Sequence, residues 1–186
     1  SENPQLAIWF ILTILFMDTV FHLAMREGVT MEMIVEQRAE RIFAGIRMVG
    51  PLDQNVGVGF QKLYQWIDNN KLGENGDWIA IYYDNPEEVP PEEMRVDTAI
   101  TVEADFVLPA NSEGVRIDTL KGGLYAVAQA HVEDGDFGRP WMEFFNEVLP
   151  RSGYVPINAP CFEKYHNDGT ESGIWDFEMC VPVQKA

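Results

Sequence analysis

Two stretches of the chain, one in each half, share a single plan, and this repetition is the strongest constraint on the fold. The first is WIAIYYDNPEEVPPEEMRVDTAITV over residues 78–102, and the second is CFEKYHNDGTESGIWDFEMCVPV over residues 161–183. In each, two alternating apolar segments flank a polar connection, which is typical of a β-hairpin. A strand-like segment and a helix-like segment precede each hairpin. The sequence therefore predicts a β-α-β-β module that occurs twice.

The predicted elements follow from hydrophobic periodicity and from breaks at Gly, Pro and Asn. The first module is expected to contain one strand over 33–48, a helix through 60–67 whose apolar side includes Tyr64, and hairpin strands over 78–84 and 96–102. The second is expected to contain a strand over 122–132, a helix over 140–149 and the hairpin 161–183. A lone hairpin leaves an apolar face exposed, so the modules should share one sheet. This predicts an α+β fold, rich in antiparallel strands, with helices on one sheet face and a groove on the other.

The predicted domain spans residues 31–186, with module one over about 31–105 and module two over about 115–186. Residues 1–30 form a separate extension, in which 6–25 are mostly apolar and long enough to span a bilayer. Asp18 lies inside that segment and costs about 3 kcal/mol near a bilayer centre. The extension is therefore a membrane anchor, a packing helix, or sequence upstream of a start at Met31; these alternatives stay open.

Charge limits the partners of this chain, because its 30 acidic and 13 basic residues give a net charge of −17. Direct binding of DNA or RNA needs a basic surface and is not expected. A cationic ligand or a basic protein surface would be attracted, although a solvated acidic surface without any partner is the simpler alternative. Neither the histidines nor Cys161 and Cys180 have metal-site spacing, so no metal and no cofactor is predicted. Both cysteines are expected to be reduced and partly buried, in a cytoplasmic protein.

A ligand site is predicted from the alternation of side chains along the hairpin strands. If Phe162, Phe177 and Met179 face the core, then the alternate residues of the same two strands face the groove. The resulting groove residues are Trp78, Tyr82, Glu163, Tyr165 and Glu178. Aromatic faces beside carboxylates favour a planar or cationic small molecule. A surface arrangement without a ligand is the alternative, and Lys164 falls at a position where this register expects a core residue.

Longer motifs resemble those of the bacterial gyrase-inhibitory proteins from Met31 to Val183. The matching stretches are AGIRMVGP, GFQKLYQWID, DWIAIYYDNPEEVP, VDTAITV, LPANSEGV, GGLYAVAQAHV, PWMEFFNEVL, PCFEKYHNDGTESGIWDFEM and VPVQ. The resemblance implies a cytoplasmic protein that binds DNA gyrase, restrains supercoiling and protects against gyrase-directed toxins. The broader family includes small-molecule-binding effector domains of AraC- and MerR-type regulators, and hydrolases of electrophilic cyclopropane toxins.

Three functional hypotheses follow. The first is a non-enzymatic gyrase inhibitor that uses an acidic loop, with Glu87, Glu88, Glu92 and Glu93 as contact residues. The second is a small-molecule sensor or sequestering protein that uses the aromatic and acidic groove. The third is a hydrolase with Glu178 as general base, although the chain has no triad, P-loop or dinucleotide motif.

Overall fold

The computed structural model describes residues 31–85 and 88–186. The extension 1–30, its apolar segment 6–25 and Glu87 lie outside these described residues. Within them the strands are β1 (Met33–Arg38), β2 (Arg41–Val49), β3 (Trp78–Tyr82), β4 (Arg95–Val102), β5 (Val115–Leu120), β6 (Gly123–Val132), β7 (Tyr154–Pro156), β8 (Cys161–Tyr165) and β9 (Trp175–Lys185). The helices are α1 (Leu52–Asn69) and α2 (Gly138–Glu143).

All strand pairs are antiparallel, and the main sheet has the order β1-β6-β9-β8-β3-β4-β2-β5, with β7 added beside β9. The predicted α+β class is confirmed. The two hairpins meet at the β3–β8 pair in the middle of the sheet, where Trp78 lies opposite Tyr165 and Ala80 opposite Glu163. This order is compatible with two modules side by side, and the duplication itself stays a prediction.

Helix α1 packs on the sheet through Leu63, Trp66 and Ile67, which contact Ala44 and Ile100. The three- and four-residue spacing of these side chains keeps them on one side of the helix, as predicted. Tyr64 was expected on this side, but it is 56% exposed, because the intervening position points away from the sheet. The apolar side is therefore narrower than the sequence suggested.

Helix α2 covers the other half of the same sheet face. A regular helix was predicted over 140–149, but the α-helix ends at Glu143 and continues as a π-helical turn, Phe144–Val148, and a 3-10 turn, Leu149–Arg151. Pro150 has no backbone N–H, so a regular α-helical bond cannot form there. The irregular turns still bury Phe144, Phe145 and Leu149 against β6 and β9.

The face without helices also carries buried apolar residues, because the sheet curls on itself. Its core contains Phe43, Ile79, Ile81, Tyr125, Phe162 and Cys180. Two short crossovers force the curl: residues 38–41 link β1 to β2, and residues 120–123 link β5 to β6, although each pair is far apart in strand order. They touch at Gly122, where a Cβ would lie 2.7 Å from the backbone nitrogen of Glu40. We call the two sides of the sheet the helix face and the concave face.

One predicted strand needs correction, and two strands were missed. The single strand expected over 33–48 is two strands, interrupted at Ala39 and Glu40 by the first crossover. Strands β5 and β7 were not predicted. Both are short, and each gains its backbone hydrogen bonds from a strand distant in sequence. Local pattern gives little signal for such segments.

Candidate functional site

A cavity of about 620 Å³ opens on the helix face, between the first turns of α1 and the segment that leads into α2. Its floor is formed by β3 and β8, which supply Tyr82, Cys161, Glu163 and Tyr165. These side chains share a face because Tyr82 lies opposite Cys161 in the β3–β8 register. The pairing of the two hairpins therefore builds the floor.

Glu163 is the buried charge of this cavity, with only 3% of its surface exposed. Its carboxylate accepts hydrogen bonds from the indole Nε1 of Trp141 at 2.7 Å and from the hydroxyl of Tyr165. The hydroxyl of Tyr82 is also within hydrogen-bonding reach. Burial raises the pKa of Glu163, and the three neutral donors oppose that rise. A buried carboxylate held by uncharged donors keeps its negative charge unmatched.

Aromatic rings form much of the wall around Glu163. Phe137, Trp141 and Trp175 join Tyr82 and Tyr165 in lining the cavity. Trp175 lies edge-on to Tyr165, with ring centroids 5.8 Å apart. The two tyrosines stay protonated, because burial and the adjacent Glu163 raise the pKa of each phenol. Faces of such rings attract cations and pack well against flat apolar groups.

Four further carboxylates line the cavity, from Asp53, Asp84, Asp134 and Asp136, and no Lys, Arg or His of the described residues belongs to its lining. Asp84 is bound by the guanidinium of Arg95, which lowers the pKa of that carboxyl. The backbone N–H of Asp136 lowers the pKa of Asp134. Asp84 and Asp134 are paired with Arg95 and Arg139, which lie outside the lining, and the other three carboxylates have no basic partner among the described residues. The lining therefore has an excess of acidic groups and suits a cationic ligand with an apolar body.

The structure brings together three of the five predicted ligand residues: Tyr82, Glu163 and Tyr165. Trp78 lies on the same face but outside the cavity lining, beneath α1, with its ring 6.2 Å from that of Phe60. Glu178 lies on the concave face, where Arg38 binds it at 2.9 Å. The prediction of one groove containing both Glu163 and Glu178 is wrong.

Glu178 was assigned to the wrong face because the pairing of β8 with β9 was not known from the sequence. Glu163 pairs with Met179, and Tyr165 pairs with Phe177, so these four side chains share the helix face. Phe162 instead pairs with Cys180 on the concave face. The groove was expected opposite the helices, but it lies between them. Lys164 was the available signal, because it fits the concave face, where it pairs with Glu178.

The sequence analysis did not include Phe137, Trp141 or Trp175 among the ligand-site residues. One signal was present: a buried tryptophan needs an acceptor for its N–H, and a buried glutamate needs donors. The structure satisfies both needs with the Trp141–Glu163 bond. The wall residues Asp134 and Asp136 precede α2 in a loop, and no pattern connected them with β8.

The acidic loop connects β3 to β4, and its first residues, Tyr83, Asp84 and Asn85, line the cavity. Glu88, Glu92 and Glu93 are exposed, and none of them makes an ion pair with a described residue. The base of the loop is firm, because Asp84 binds Arg95 and the backbone N–H of Gly50 donates to the carbonyl of Met94 at 2.9 Å. In the described part of the loop, Glu88, Glu92 and Glu93 thus form an exposed acidic surface on a base that hydrogen bonds hold in place.

Cys161 and Cys180 are free, buried thiols on opposite faces of the sheet. Burial raises the pKa of Cys161 to about 12. Across residues 31–85 and 88–186, no group of three His, Cys, Asp or Glu side chains has the geometry to hold a metal ion. Over the same ranges, no helix has the length and apolar character needed to cross a membrane.

Several solved structures share this fold. The crystal structure of the EcmrR C-terminal domain superposes with a TM-score of 0.62 at 16% identity, covering 85% of this chain and all of that one (100%). SAV2435 bound to tetraphenylphosphonium gives 0.57 at 19% identity, covering 83% and 94%. A hydrolase from Listeria innocua gives 0.56 at 12% identity, covering 85% and 94%. These likenesses concern the fold.

Sequence comparison identifies the family. The profile described as GyrI-like small molecule binding domain matches residues 31–184, and the chain belongs to this family. Proteins named DNA gyrase inhibitor are its curated relatives. That of Citrobacter koseri is 48% identical over 154 residues, 83% of this chain and 99% of the relative. That of Escherichia coli K12 is 47% identical over 150 residues, 81% and 95%. The predicted resemblance to gyrase-inhibitory proteins is confirmed.

Proposed function

We propose that this protein binds DNA gyrase and inhibits its supercoiling activity without catalysing a reaction itself. The observation that carries this proposal is the identity of 46% to 48% with proteins named DNA gyrase inhibitor, along 98% to 99% of their lengths. Since gyrase acts on bacterial DNA, the cytoplasm is the compartment in which this activity takes place. Protection from gyrase-directed toxins is part of the same proposal.

The acidic loop is the proposed contact surface. An enzyme that binds DNA presents basic grooves, and an array of exposed carboxylates has the charge to occupy such a groove. Glu88, Glu92 and Glu93 are exposed on a supported loop, and Glu87 is adjacent in sequence. A chain with a net charge of −17 would also approach a basic surface faster at low ionic strength.

Binding of the full-length chain to immobilised gyrase tests this contact. Changing Glu87, Glu88, Glu92 and Glu93 to Gln should weaken binding at least tenfold and reduce its dependence on salt. The matched control changes Glu113, Glu147, Glu171 and Glu103 to Gln, which alters net charge equally on exposed residues outside the loop. Equal weakening by both variants would contradict the loop as contact surface and leave only a general charge effect.

A second proposed function is the binding of an apolar cation in the cavity around Glu163. Glu163 is 3% exposed, faces an aromatic cavity and has no cationic partner among the described residues. A buried carboxylate has lost most of its hydration by water. A bound cation compensates for that loss and is therefore attracted to it. The similar fold of SAV2435, which was solved with tetraphenylphosphonium, supplies a suitable probe.

Titration with tetraphenylphosphonium, followed by tryptophan fluorescence, tests the cavity. Tetraphenylborate has the same shape and the opposite charge, and it should bind at least tenfold more weakly. Glu163→Gln should remove most of this discrimination, because it keeps the side-chain shape and removes the charge. Equal affinity of wild type for both probes, or unchanged discrimination in the variant, would contradict this assignment.

No hydrolase function is proposed on Glu178. Its carboxylate is paired with Arg38 on the concave face, across the sheet from the aromatic cavity. A general base must reach the substrate proton directly or through one water. Glu178 does not meet that requirement for a ligand in the cavity.

A further inference from the structure

We infer that the concave face contains a second binding site, which takes a small organic anion with a compact apolar body. This site is a cavity of about 240 Å³ near the two crossovers that curl the sheet. It is independent of gyrase binding and of the cavity around Glu163. Its charged lining consists of four basic and two acidic side chains, from Arg38, Arg41, Lys121, Lys164, Glu36 and Asp77.

The charge of this cavity opposes that of the chain. Four of the chain's 13 lysines and arginines line it, although the chain as a whole carries −17. Among the residues that the structure describes, the cavity on the helix face has five carboxylates in its lining and no Lys or Arg. Basic residues are thus concentrated at one place, where their mutual repulsion favours an incoming negative charge.

The carboxylates present do not match the basic groups one for one. Arg41 binds Asp77 at 2.8 Å, and Lys164 reaches the same Asp77 oxygen at 3.6 Å. Lys121 makes no ion pair with any residue in the described part of the chain. The sharing of Asp77 and the unpaired Lys121 leave positive charge for a ligand carboxylate.

Arg38 is already paired with two carboxylates and holds one wall of the cavity in place. Its guanidinium binds Glu36 at 2.7 Å and Glu178 at 2.9 Å. Even when Glu178 is counted with the lining, basic groups outnumber acidic ones. The ligand's negative charge is therefore expected near Lys121 and Lys164 instead of near Arg38.

Apart from Thr101, the rest of the lining is apolar or aromatic, from Ala39, Ile79, Leu120, Tyr125 and Phe162. The rings of Tyr125 and Phe162 meet edge to face, with centroids 5.4 Å apart. The phenol of Tyr125 is engaged, because it donates to the carbonyl of Lys121 at 2.7 Å. Ile79, Tyr125 and Phe162 are nearly fully buried and Leu120 is half-buried, so a flat apolar group would contact only the parts of these side chains that face the cavity. A bare inorganic anion would not use that contact.

The volume restricts the ligand to a small molecule. A water molecule occupies about 30 Å³ of liquid, so this cavity corresponds to roughly eight waters. A monocarboxylate of the size of benzoate fits that space. Ile79 and Phe162 alternate with Ala80 and Glu163 along β3 and β8, so the same two strands separate the sites of opposite charge.

NMR titration of the ¹⁵N-labelled full-length chain with benzoate tests this site. We expect saturable shifts of the amides near Tyr125, Phe162 and Lys164. Benzyl alcohol, which keeps the ring without the charge, should bind at least tenfold more weakly. Acetate, which keeps the charge without the ring, should also bind at least threefold more weakly than benzoate.

Substitutions of lysine side chains test which lysines bind the carboxylate of the ligand. Changing Lys121 and Lys164 to Gln should weaken benzoate binding at least tenfold, whereas Lys62→Gln, an exposed change on α1, should leave it unchanged. The inference is overturned by an absence of saturable shifts, by equal binding of benzyl alcohol, or by equal effects of the paired variant and Lys62→Gln.

Discussion

The indole Nε1 of Trp141 lies 2.7 Å from Oε1 of Glu163, so a single hydrogen bond joins α2 to the floor of the cavity. The partners of Glu163 in the described part of the chain are neutral donors, and no basic side chain there pairs with its carboxylate. The charge state of Glu163 is therefore the property that links the fold to ligand binding. Its pKa decides the pH range in which the cavity attracts cations.

Cation binding should strengthen as pH rises through the raised pKa of Glu163. Only the ionised carboxylate attracts a cation, and burial shifts ionisation to higher pH. Trp141→Phe removes one donor to the carboxylate and keeps an aromatic ring, so the strengthening should move to still higher pH. The measurement is the dissociation constant of tetraphenylphosphonium as a function of pH.

Trp66→Phe is the matched control for that experiment. Trp66 belongs to α1, and its indole Nε1 donates to the hydroxyl of Ser112 at 2.9 Å, away from the cavity lining. Its loss should lower stability without moving the pH profile. A profile unchanged in Trp141→Phe, or moved equally in both variants, would exclude the Trp141 bond as the tuning contact.

Glu163 should make the folded state less stable as pH rises above its ordinary pKa of 4.5. With the folded-state pKa raised, the folded protein holds this proton more tightly than the unfolded chain does. The free energy of unfolding therefore falls with pH between the ordinary and the raised pKa. Urea unfolding at several pH values, compared between wild type and Glu163→Gln, measures the effect.

Gln cannot titrate, so the difference between the two proteins isolates Glu163 from the other carboxylates. Wild type should lose stability relative to the variant as pH increases through this window. A constant difference across pH would show that burial does not shift the pKa, and a difference of opposite sign would show that the hydrogen bonds outweigh burial.

Gly59 is required for the close approach of α1 to the sheet. A Cβ there would lie 2.6 Å from Oγ1 and 2.7 Å from Cγ2 of Thr98, whose side chain is buried. Gly59→Ala should therefore cost about 1–3 kcal/mol, as overpacking commonly does. Gly57 is in the same helix with nothing within 4 Å of its Cβ position, so Gly57→Ala should gain about 0.5–1 kcal/mol. Urea unfolding should show opposite signs, and equal signs would contradict this packing.

Asp97 organises a buried charge cluster on the concave side of β4. It is fully buried, accepts a hydrogen bond from the hydroxyl of Tyr83 at 2.6 Å and binds the guanidinium groups of Arg47 and Arg116. Asp97→Asn leaves two cations together and should cost about 3 kcal/mol. Tyr83→Phe removes one hydroxyl and should cost about 1 kcal/mol. Equal losses in denaturant unfolding would contradict the central role of the carboxylate.

The sequence was sufficient for features that depend on local periodicity. The spacing of Leu63, Trp66 and Ile67 predicted α1, and the alternation around Ile79 and Ile81 predicted β3. Tyr82, Glu163 and Tyr165 lie in one cavity lining, and the sequence placed them on one face because alternation fixes which residues of a strand share a face. The π-helical turn after α2 was not predicted, since it depends on packing around Phe144 and Phe145 and on Pro150.

The placement of Glu178 shows why features that depend on long-range contacts could not be predicted from the sequence. Alternation determines two sets within a strand, but the neighbouring strand decides which set faces the helices. The β8–β9 register pairs Met179 with Glu163 and thereby sends Glu178 to the concave face. The two crossovers, which bring Gly122 against Glu40, likewise depend on contacts far apart in sequence. Both the second cavity and its basic lining follow from that long-range closure.

A supercoiling assay with purified DNA gyrase tests the central proposal most directly. We expect the full-length chain to slow the supercoiling of relaxed plasmid in proportion to its concentration. The variant with Gln at positions 87, 88, 92 and 93 should need at least tenfold more protein for the same effect. The control with Gln at 103, 113, 147 and 171 should act as wild type. Full supercoiling at a large molar excess of the folded wild-type chain would contradict the proposal that this protein is a gyrase inhibitor.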